Sequence, residues 1–486
     1  MRYQKEFIKR KHPEKQKRFN LQLRFLGLSI FIFLVKSLCP GQAYPAYDLY
    51  INGKPGLVIY QGSFRLRPTS FHGENSSRRP VLNPLQDNDY GEFELSVGGS
   101  LQADYRYYEE ACREDSRFDI RRARISFSGR INRLIFYQMK LEFQGSDQKN
   151  LLDAFGDIKF YQALSLKFGQ FKEPFSLEWQ TQDEAVFFAE RSMGYYLSPN
   201  RDVGMMIYGS VPPDNYLAGI FNFHYLAGIF NGDGIDGSSR GSQSDDPEFT
   251  GRLVLSFFEN VPGRWMKSIH IGGSGTHAHI DLANVSLEVK SAGMVGTNRS
   301  IYKLNANTKF GVLKSVHERR RLAVDGGLAF GPVVLEGEYV DFRFTELEPA
   351  GSLSREARFF TWYGSIIIFI TGEAPEFKYG MLQPVSPPKN SYSWLGRLGM
   401  LGIGFRREHF SGDESWIMPD AFSSVGDADA YSIALNWIIT PTFRFILDYT
   451  DTYFSDPIRV RIDPKNGNID YIEAEHVTTA RFDIHF

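Results

Sequence analysis

RARISFSGRINRLIFYQMKLEFQ, residues 122–144, alternates twice with a break between the two runs. In the first run Ala123, Ile125 and Phe127 fall on one side and Arg122, Arg124, Ser126 and Ser128 on the other. In the second, Ile135, Tyr137, Met139, Leu141 and Phe143 oppose Gln138, Lys140, Glu142 and Gln144. A period of two puts such residues on opposite faces of a strand, and Ile131 to Arg133 reads as a tight turn between antiparallel neighbours. The pattern begins at Glu92, where Phe93, Leu95, Val97, Leu101, Ala103, Tyr105 and Tyr107 share a parity. It returns in HVTTARFDIHF (476–486), where Ala480, Phe482, Ile484 and Phe486 oppose Thr479, Arg481, Asp483 and His485.

Alternation alone fits a soluble sandwich, whose apolar face meets a core, and equally a barrel, whose apolar face meets lipid. Connection lengths choose between them. Long segments at 109–116, 145–151 and 171–202 alternate with tight turns at 131–133 and Gln162-Ala163, as outer loops and inner turns do in membrane barrels. Further strands are expected near 203–210, 216–231, 249–258, 267–280, 320–330, 333–345, 358–371, 396–410, 430–439, 443–454 and 475–486. The expected fold class is therefore all-β: a transmembrane antiparallel β-barrel over residues 91–486, with about 16 strands. An extra hairpin within 372–395, long for an inner turn, would make eighteen. The duplicate YLAGIFN at 216–222 and 225–231 reads as a tandem repeat lengthening one strand.

Composition supports a barrel. Phe (41), Tyr (25) and Gly (45) are abundant, as aromatic girdles and many turns require. Mean hydropathy is -0.31, and the one long apolar run, FLGLSIFIFLV at 25–35, is shorter than the roughly 20 residues of a spanning helix. That run follows Lys9, Arg10, Lys11, Lys15, Lys17, Arg18 and Arg24 and precedes Gly41-Gln42-Ala43, the order of a cleavable export signal over residues 1–43. A basic tail with a buried helix is the bland alternative. Removing 1–43 leaves 45 Lys and Arg against 55 Asp and Glu, too acidic for a nucleic-acid partner. Cys39 lies in the signal and Cys112 is left alone, which excludes an internal disulfide or cysteine zinc site in the exported chain. Residues 44–90, rich in Pro, Gly, Asn and Arg, read as a linker or plug-like extension.

A family resemblance lies in FDIRRARISFSGRI (118–131), FGQFKEPFSLE (168–178), FFAERSM (187–193) and SPNRDVGMMIYG (198–209). AGIFNGDG (227–234), FTGRLVLS (249–256), ITGEAPEFKYG (370–380) and ALNWIITPTFRFILDYT (434–450) continue it in order. Over residues 90–486 the chain resembles the phosphate-selective porins O and P. The resemblance implies a homotrimeric, water-filled channel in the bacterial outer membrane, sixteen-stranded, narrowed by an inward-folded third extracellular loop and passing small anions, phosphate or polyphosphate among them. The strand count independently places 171–202 as that loop. It carries aromatics (Trp179, Phe187, Phe188, Tyr195, Tyr196) and charges of both signs: Glu173, Asp183, Glu184, Asp202, and the constriction candidates Lys172, Glu190, Arg191 and Arg201.

Selecting phosphate in a pore calls for a ladder of Arg and Lys that replaces hydration with charge-assisted hydrogen bonds yet releases the ion. By parity the inward cations are Arg122, Arg124, Lys140, Lys159, Lys167, Arg252 and Arg481, against inward Glu142, Asp157 and Asp483. The bland alternative is a wet, charged wall whose ion pairs hold the third loop. A one-residue slip reverses every such assignment.

No cofactor is expected. His277 and His279 share a strand face but lack a third ligand, so no metal is expected there. Gly272-Gly273-Ser274-Gly275 is followed by no phosphate-binding helix, so strand glycines are the reading. The expected function is passive anion diffusion, with outer-membrane lipid as surroundings and barrel assembly machinery recognising Phe486. The alternatives are a general or closed structural barrel, blocked by residues 44–90, and a barrel hydrolase. The hydrolase would need a Ser–His–acid set, and the only clustered histidines, His270, His277 and His279, have no serine in evident support.

Overall fold

Sixteen antiparallel strands close on themselves in this computed structural model: β1 Phe93–Tyr108, β2 Arg117–Ile131, β3 Ile135–Glu142, β4 Leu151–Tyr161, β5 Leu164–Lys172, β6 Arg201–Val211, β7 Phe221–Phe230, β8 Glu248–Phe257, β9 Met266–His279, β10 Gly311–Phe330, β11 Val333–Pro349, β12 Arg355–Phe369, β13 Met400–Gly412, β14 Asp427–Thr440, β15 Phe443–Ile462 and β16 Ile469–His485. The structure describes residues 47–51, 54–60, 63–66 and 93–486, the last without 110–114, 132–133, 145–150, 212–219, 236–245, 260–264, 281–286, 293–299, 305–306, 309, 351, 386–398, 418–423 and 463–468. The export signal at 1–43, Cys112 and most of the first YLAGIFN copy lie outside the described residues.

Each strand pairs with its sequence neighbour, and β16 pairs with β1 from His485↔Ser100 to Val477↔Tyr108. The last residue completes the seam: Phe486 N donates to Gly99 O at 3.1 Å and Gly99 N to Phe486 O at 2.9 Å. Gly99 is required here, because a Cβ on it would lie 2.5 Å from the Phe486 ring. Within residues 44–90, three short strands, Tyr47–Ile51, Lys54–Tyr60 and Ser63–Leu66, form a meander. Its last strand pairs with β1 at Leu95–Val97, beyond the end of β16.

The two faces separate as alternation requires. On β9, His270, Gly272, Ser274 and Thr276 point inward, while Ile271 is 58% exposed on the outside. Neighbouring outward residues such as Leu253 and Val324 are 55% and 60% exposed. An apolar surface so extensive, on a sheet with no free edge, suits hydrocarbon and not water.

The structure departs from the sequence reading at three places. Several ladders run further than their apolar alternation, β10, β15 and β16 most of all, because charged residues continue the pairing past the apolar band. Alternation of long and short connections breaks at β11–β12, joined by a short loop, and at β12–β13, joined by a long one. The long one adds no barrel strand; it carries a small hairpin, Phe377–Lys378 with Met381–Leu382, so the count stays at sixteen. Phe377 lies on the His270 ring (centroids 4.6 Å apart) and its N–H donates to Ser268 Oγ at 2.8 Å, placing the hairpin against inward-facing residues of β9.

The inward face is also less polar than expected. Val316, Val340, Phe342, Phe359 and Phe410 on β10–β13 are buried with Phe175, Trp179, Met193 and Leu197 from residues 173–200. The strands Leu287–Lys290 and Ser300–Leu304, from the β9–β10 connection, add Leu287, Val289, Ile301 and Tyr302 to that cluster. Inward residues on this side therefore meet loop side chains instead of water.

Deleting Phe486 removes two seam hydrogen bonds together with the ring on Gly99. The expected result is a lower folded fraction, read as loss of the heat-modifiable band on semi-native gels. Phe486→Ala, which keeps the backbone pair, should fall between the deletion and the parent.

Candidate functional site

The segment after β5 leaves the wall at Lys172-Glu173-Pro174, where proline has no N–H for the ladder. Ser176 then caps a single helical turn, α1 (Leu177–Gln180), its side chain accepting from Trp179 N. Backbone amides along this segment are satisfied by carboxylates of distant strands. Leu177 N and Glu178 N donate to Glu338 of β11 at 2.8 and 3.0 Å. Met193 N donates to Glu408 of β13 at 2.6 Å and Ala189 N to Asp448 of β15 at 3.0 Å. Its carbonyls take guanidinium donors: Arg444 bonds the oxygens of Asp183, Glu184 and Val186 at 2.9–3.0 Å, and Arg406 that of Glu190 at 3.0 Å. A segment with only short helical turns thus leaves few of its polar groups orphaned.

Its acidic side chains collect arginines. Glu190 accepts from Arg106 (2.7 Å), Arg121 (2.9 Å) and Arg481 (2.7 Å), and Asp104 bridges Arg106 and Arg481 from the other side at 3.0 and 2.7 Å. Asp183 accepts from Arg124 and, at 2.6 Å, from Arg191, with Arg122 at 3.8 Å. Glu142 holds Arg124 at 2.5 Å and Asp483 holds Arg444 at 2.6 Å. Seven guanidiniums, Arg106, Arg121, Arg122, Arg124, Arg191, Arg444 and Arg481, thus meet five carboxylates, Asp104, Glu142, Asp183, Glu190 and Asp483. Burial opposes the charge on Glu190, but Arg121, Arg481 and Arg106 outweigh it and hold the carboxyl well below the usual range. Burial likewise opposes charge on Asp183, and Arg122, Arg191 and Arg124 override it.

Arg121 joins the cluster through a fault in the ladder. Gln102 pairs with Arg122 and Ala103 with Ile120, so Arg121 is the extra residue of a β-bulge. The bulge lets consecutive arginines both reach the third-loop carboxylates, which strict alternation forbids. Arg106, Arg121 and Arg444 were not singled out by sequence; the bulge and the bonding to Glu190 and Asp483 identify them only in three dimensions.

Of the sequence candidates, Arg122, Arg124, Arg481, Glu190 and Arg191 are brought together here. Arg122 is the least satisfied: it donates to Gln102 Oε1 at 2.8 Å, stands off Asp183, and its buried Nε has no partner among the described residues. Lys172 instead donates to the carbonyl of Trp179 at 2.7 Å and lies 4.8 Å over its ring, and Arg201 pairs with Asp153 at 2.8 Å. Lys167 sits over the Phe155 ring, 3.8 Å from Asp157. Arg252 is sealed against Asp325 at 2.5 Å on β8–β10, away from the cluster. Lys140 bears electrostatically on Glu184, and Lys159 is exposed. The expected inward excess of cations shrinks accordingly, because carboxylates on the same faces, Asp104, Asp153, Asp325, Glu338, Glu408 and Asp448, also point inward.

A Ser–His–acid contact does occur, at residues sequence reading passed over. Ser210 Oγ lies 2.7 Å from His224 Nδ1 and His224 Nε2 2.9 Å from Glu259. All three are buried, and Tyr379 N donates to the same Glu259. In hydrolytic triads the serine meets Nε2 and the acid Nδ1; the nitrogens are exchanged here, and the contact ties the β12–β13 hairpin to the wall.

Glu190→Gln leaves the buried Arg106 and Arg481 and the half-buried Arg121 with one carboxylate fewer, which should cost about 3–5 kcal/mol in denaturant unfolding. With a depressed carboxyl, Glu190 stabilises fully above its unfolded value of about 4.3 and loses that contribution as pH falls toward the folded value. The parent should therefore weaken below that pH more steeply than Glu190→Gln.

Porin O of Pseudomonas aeruginosa is 23% identical over 392 residues, 74% of this chain and 82% of that protein. The anion-selective porin of Comamonas acidovorans superposes with a TM-score of 0.46 at 10% identity, covering 81% of this chain and 100% of the other. The outer membrane channel DcaP of Acinetobacter baumannii gives 0.42 at 9%, over 81% and 97%. The family description "Phosphate-selective porin O and P" matches residues 95–457, most of the sequence, from β1 into β15 and short of β16. On that match the chain belongs to the phosphate-selective porin O and P family of outer-membrane porins.

Proposed function

We propose that this outer-membrane porin passes small anions, inorganic phosphate foremost, past the guanidinium cluster between residues 173–200 and β16, β1 and β2. The observation that carries the reading is Arg122: a buried guanidinium with an open Nε, inside a cluster holding two more arginines than carboxylates. Arginine offers phosphate a fork of fixed donors. The paired carboxylates keep the fork planes aimed while cancelling most of the charge, so an anion is attracted without being trapped. Lys140 and Lys159 extend the positive wall along β3 and β4.

In this reading residues 173–200 are the inward-folded constriction, residues 1–43 the removed export signal, and three copies assemble. The relatives' printed descriptions, an anion-selective porin and a trimer form, are consistent with it but belong to those proteins. A closed structural barrel is the second reading, favoured by the loop segments packed against the inward face of β10–β13.

Reversal potential across a planar bilayer under a chloride gradient, repeated with phosphate, separates the two. Anion-selective current reduced by phosphate is expected. Arg122→Ala should weaken the phosphate effect about tenfold, the worth of one hydrogen bond to a charged group, and Arg122→Lys should recover only part. Cation selectivity rejects the anion reading, and absence of current favours the closed barrel.

A further inference from the structure

The outer face of the wall carries a cluster that anion passage does not use. His277 and His279 share the outward face of β9 with Ile271, near the end of the strand. Across the ladder, His279 pairs with Glu318 and His277 with Arg320 of β10. The missing third ligand of the histidine pair is thus provided by strand register, forty residues away in sequence and invisible to local spacing. His277 Nδ1 stands 3.5 Å from Glu318 Oε1, and one ligand atom from each of the three residues lies within 4.8 Å of the other two. The imidazole rings are 5.0 Å apart and nearly perpendicular.

We propose that His277, His279 and Glu318 form a binding site for a borderline-soft divalent metal ion, Zn2+ or a neighbour such as Ni2+ or Cu2+. With metal–nitrogen and metal–oxygen bonds of about 2.0–2.2 Å, donors on one tetrahedral ion stand about 3.4 Å apart. The His277–Glu318 separation already meets this, and the exposed His279 ring closes the remainder by rotating about its side chain. Two imidazoles and one carboxylate select against Ca2+ and Mg2+, which take oxygen ligands. Glu318 is oriented from behind by Thr345 Oγ1 of β11, the outer-shell support that metal ligands ordinarily have. Arg320 Nη2 holds Glu318 Oε1 at 2.6 Å, but its side chain is 56% exposed and free to swing away, so it acts as the competitor an ion displaces. Three protein ligands leave a fourth position for water on the outer side, away from the lumen.

Zinc chloride titrated calorimetrically into the purified full-length chain in detergent tests the site, with nickel chloride as second probe. One equivalent is expected to bind. His277→Ala with His279→Ala should abolish it, Glu318→Gln should weaken it at least tenfold, and Arg320→Ala should tighten it. His409→Ala, at an outward histidine beside Asp427 and Asp429, should leave it unchanged. Heat-modifiable migration checks that each variant is folded, and X-ray absorption of the zinc-loaded parent should show two imidazoles in the coordination shell. No binding, binding that survives the double substitution, or a shell without imidazole overturns the proposal.

Discussion

Hydrocarbon offers a backbone amide no partner, so a sheet exposed to it on one face must leave no edge. Pairing of β16 with β1, completed by the Gly99–Phe486 exchange, meets that requirement, and the rest of the molecule follows from it. Closure sets which residues point inward on all sixteen strands at once. It also creates an interior into which the connections can fold without exposing backbone to lipid. The apolar side chains left outside, such as Leu253, Ile271 and Val324, then need no partner in the protein.

Inside, two kinds of chemistry divide the wall. On β10–β13 apolar inward residues pack against residues 173–200 and the β9–β10 connection, much as in a soluble core. On β16, β1 and β2 arginines converge on Glu190 and Asp183. The same segment serves both sides, presenting Phe175, Trp179 and Met193 to one and its carboxylates to the other. Its backbone is spanned by Glu338, Glu408 and Asp448, so wall carboxylates that would repel an anion are engaged by amides.

The bulge at Arg121 shows how a local irregularity supports that arrangement. Regular alternation would send Arg121 to lipid, where an unpaired charge is costly. Inserting one residue in β2 returns it to the inside beside Arg122. A comparable economy appears in the β12–β13 connection, whose hairpin rests on the His270 ring and gives Ser268 of β9 and Glu259, just past β8, backbone donors within the protein.

The barrel was readable from the residue order. Period-two alternation, sixteen runs of it, abundant aromatics and the terminal RFDIHF are local properties, and the strand's geometry converts them directly into faces. Membership of the porin family was legible in the ordered motifs for the same reason, since they lie on strands and turns whose spacing is local. Inward cations such as Arg122, Arg124 and Arg481 were readable by parity, because period two survives as long as the ladder is regular. Which side chains meet depends on the folded sheet. Arg481 and Glu190 are nearly three hundred residues apart and share a hydrogen bond because the sheet closes. Arg121 enters the cluster through a bulge, Glu318 joins His277 and His279 through register, and Arg252 is withdrawn from it by Asp325. Pairing across a closed sheet depends on shear and loop path, which are global quantities, whereas alternation is written into each strand alone.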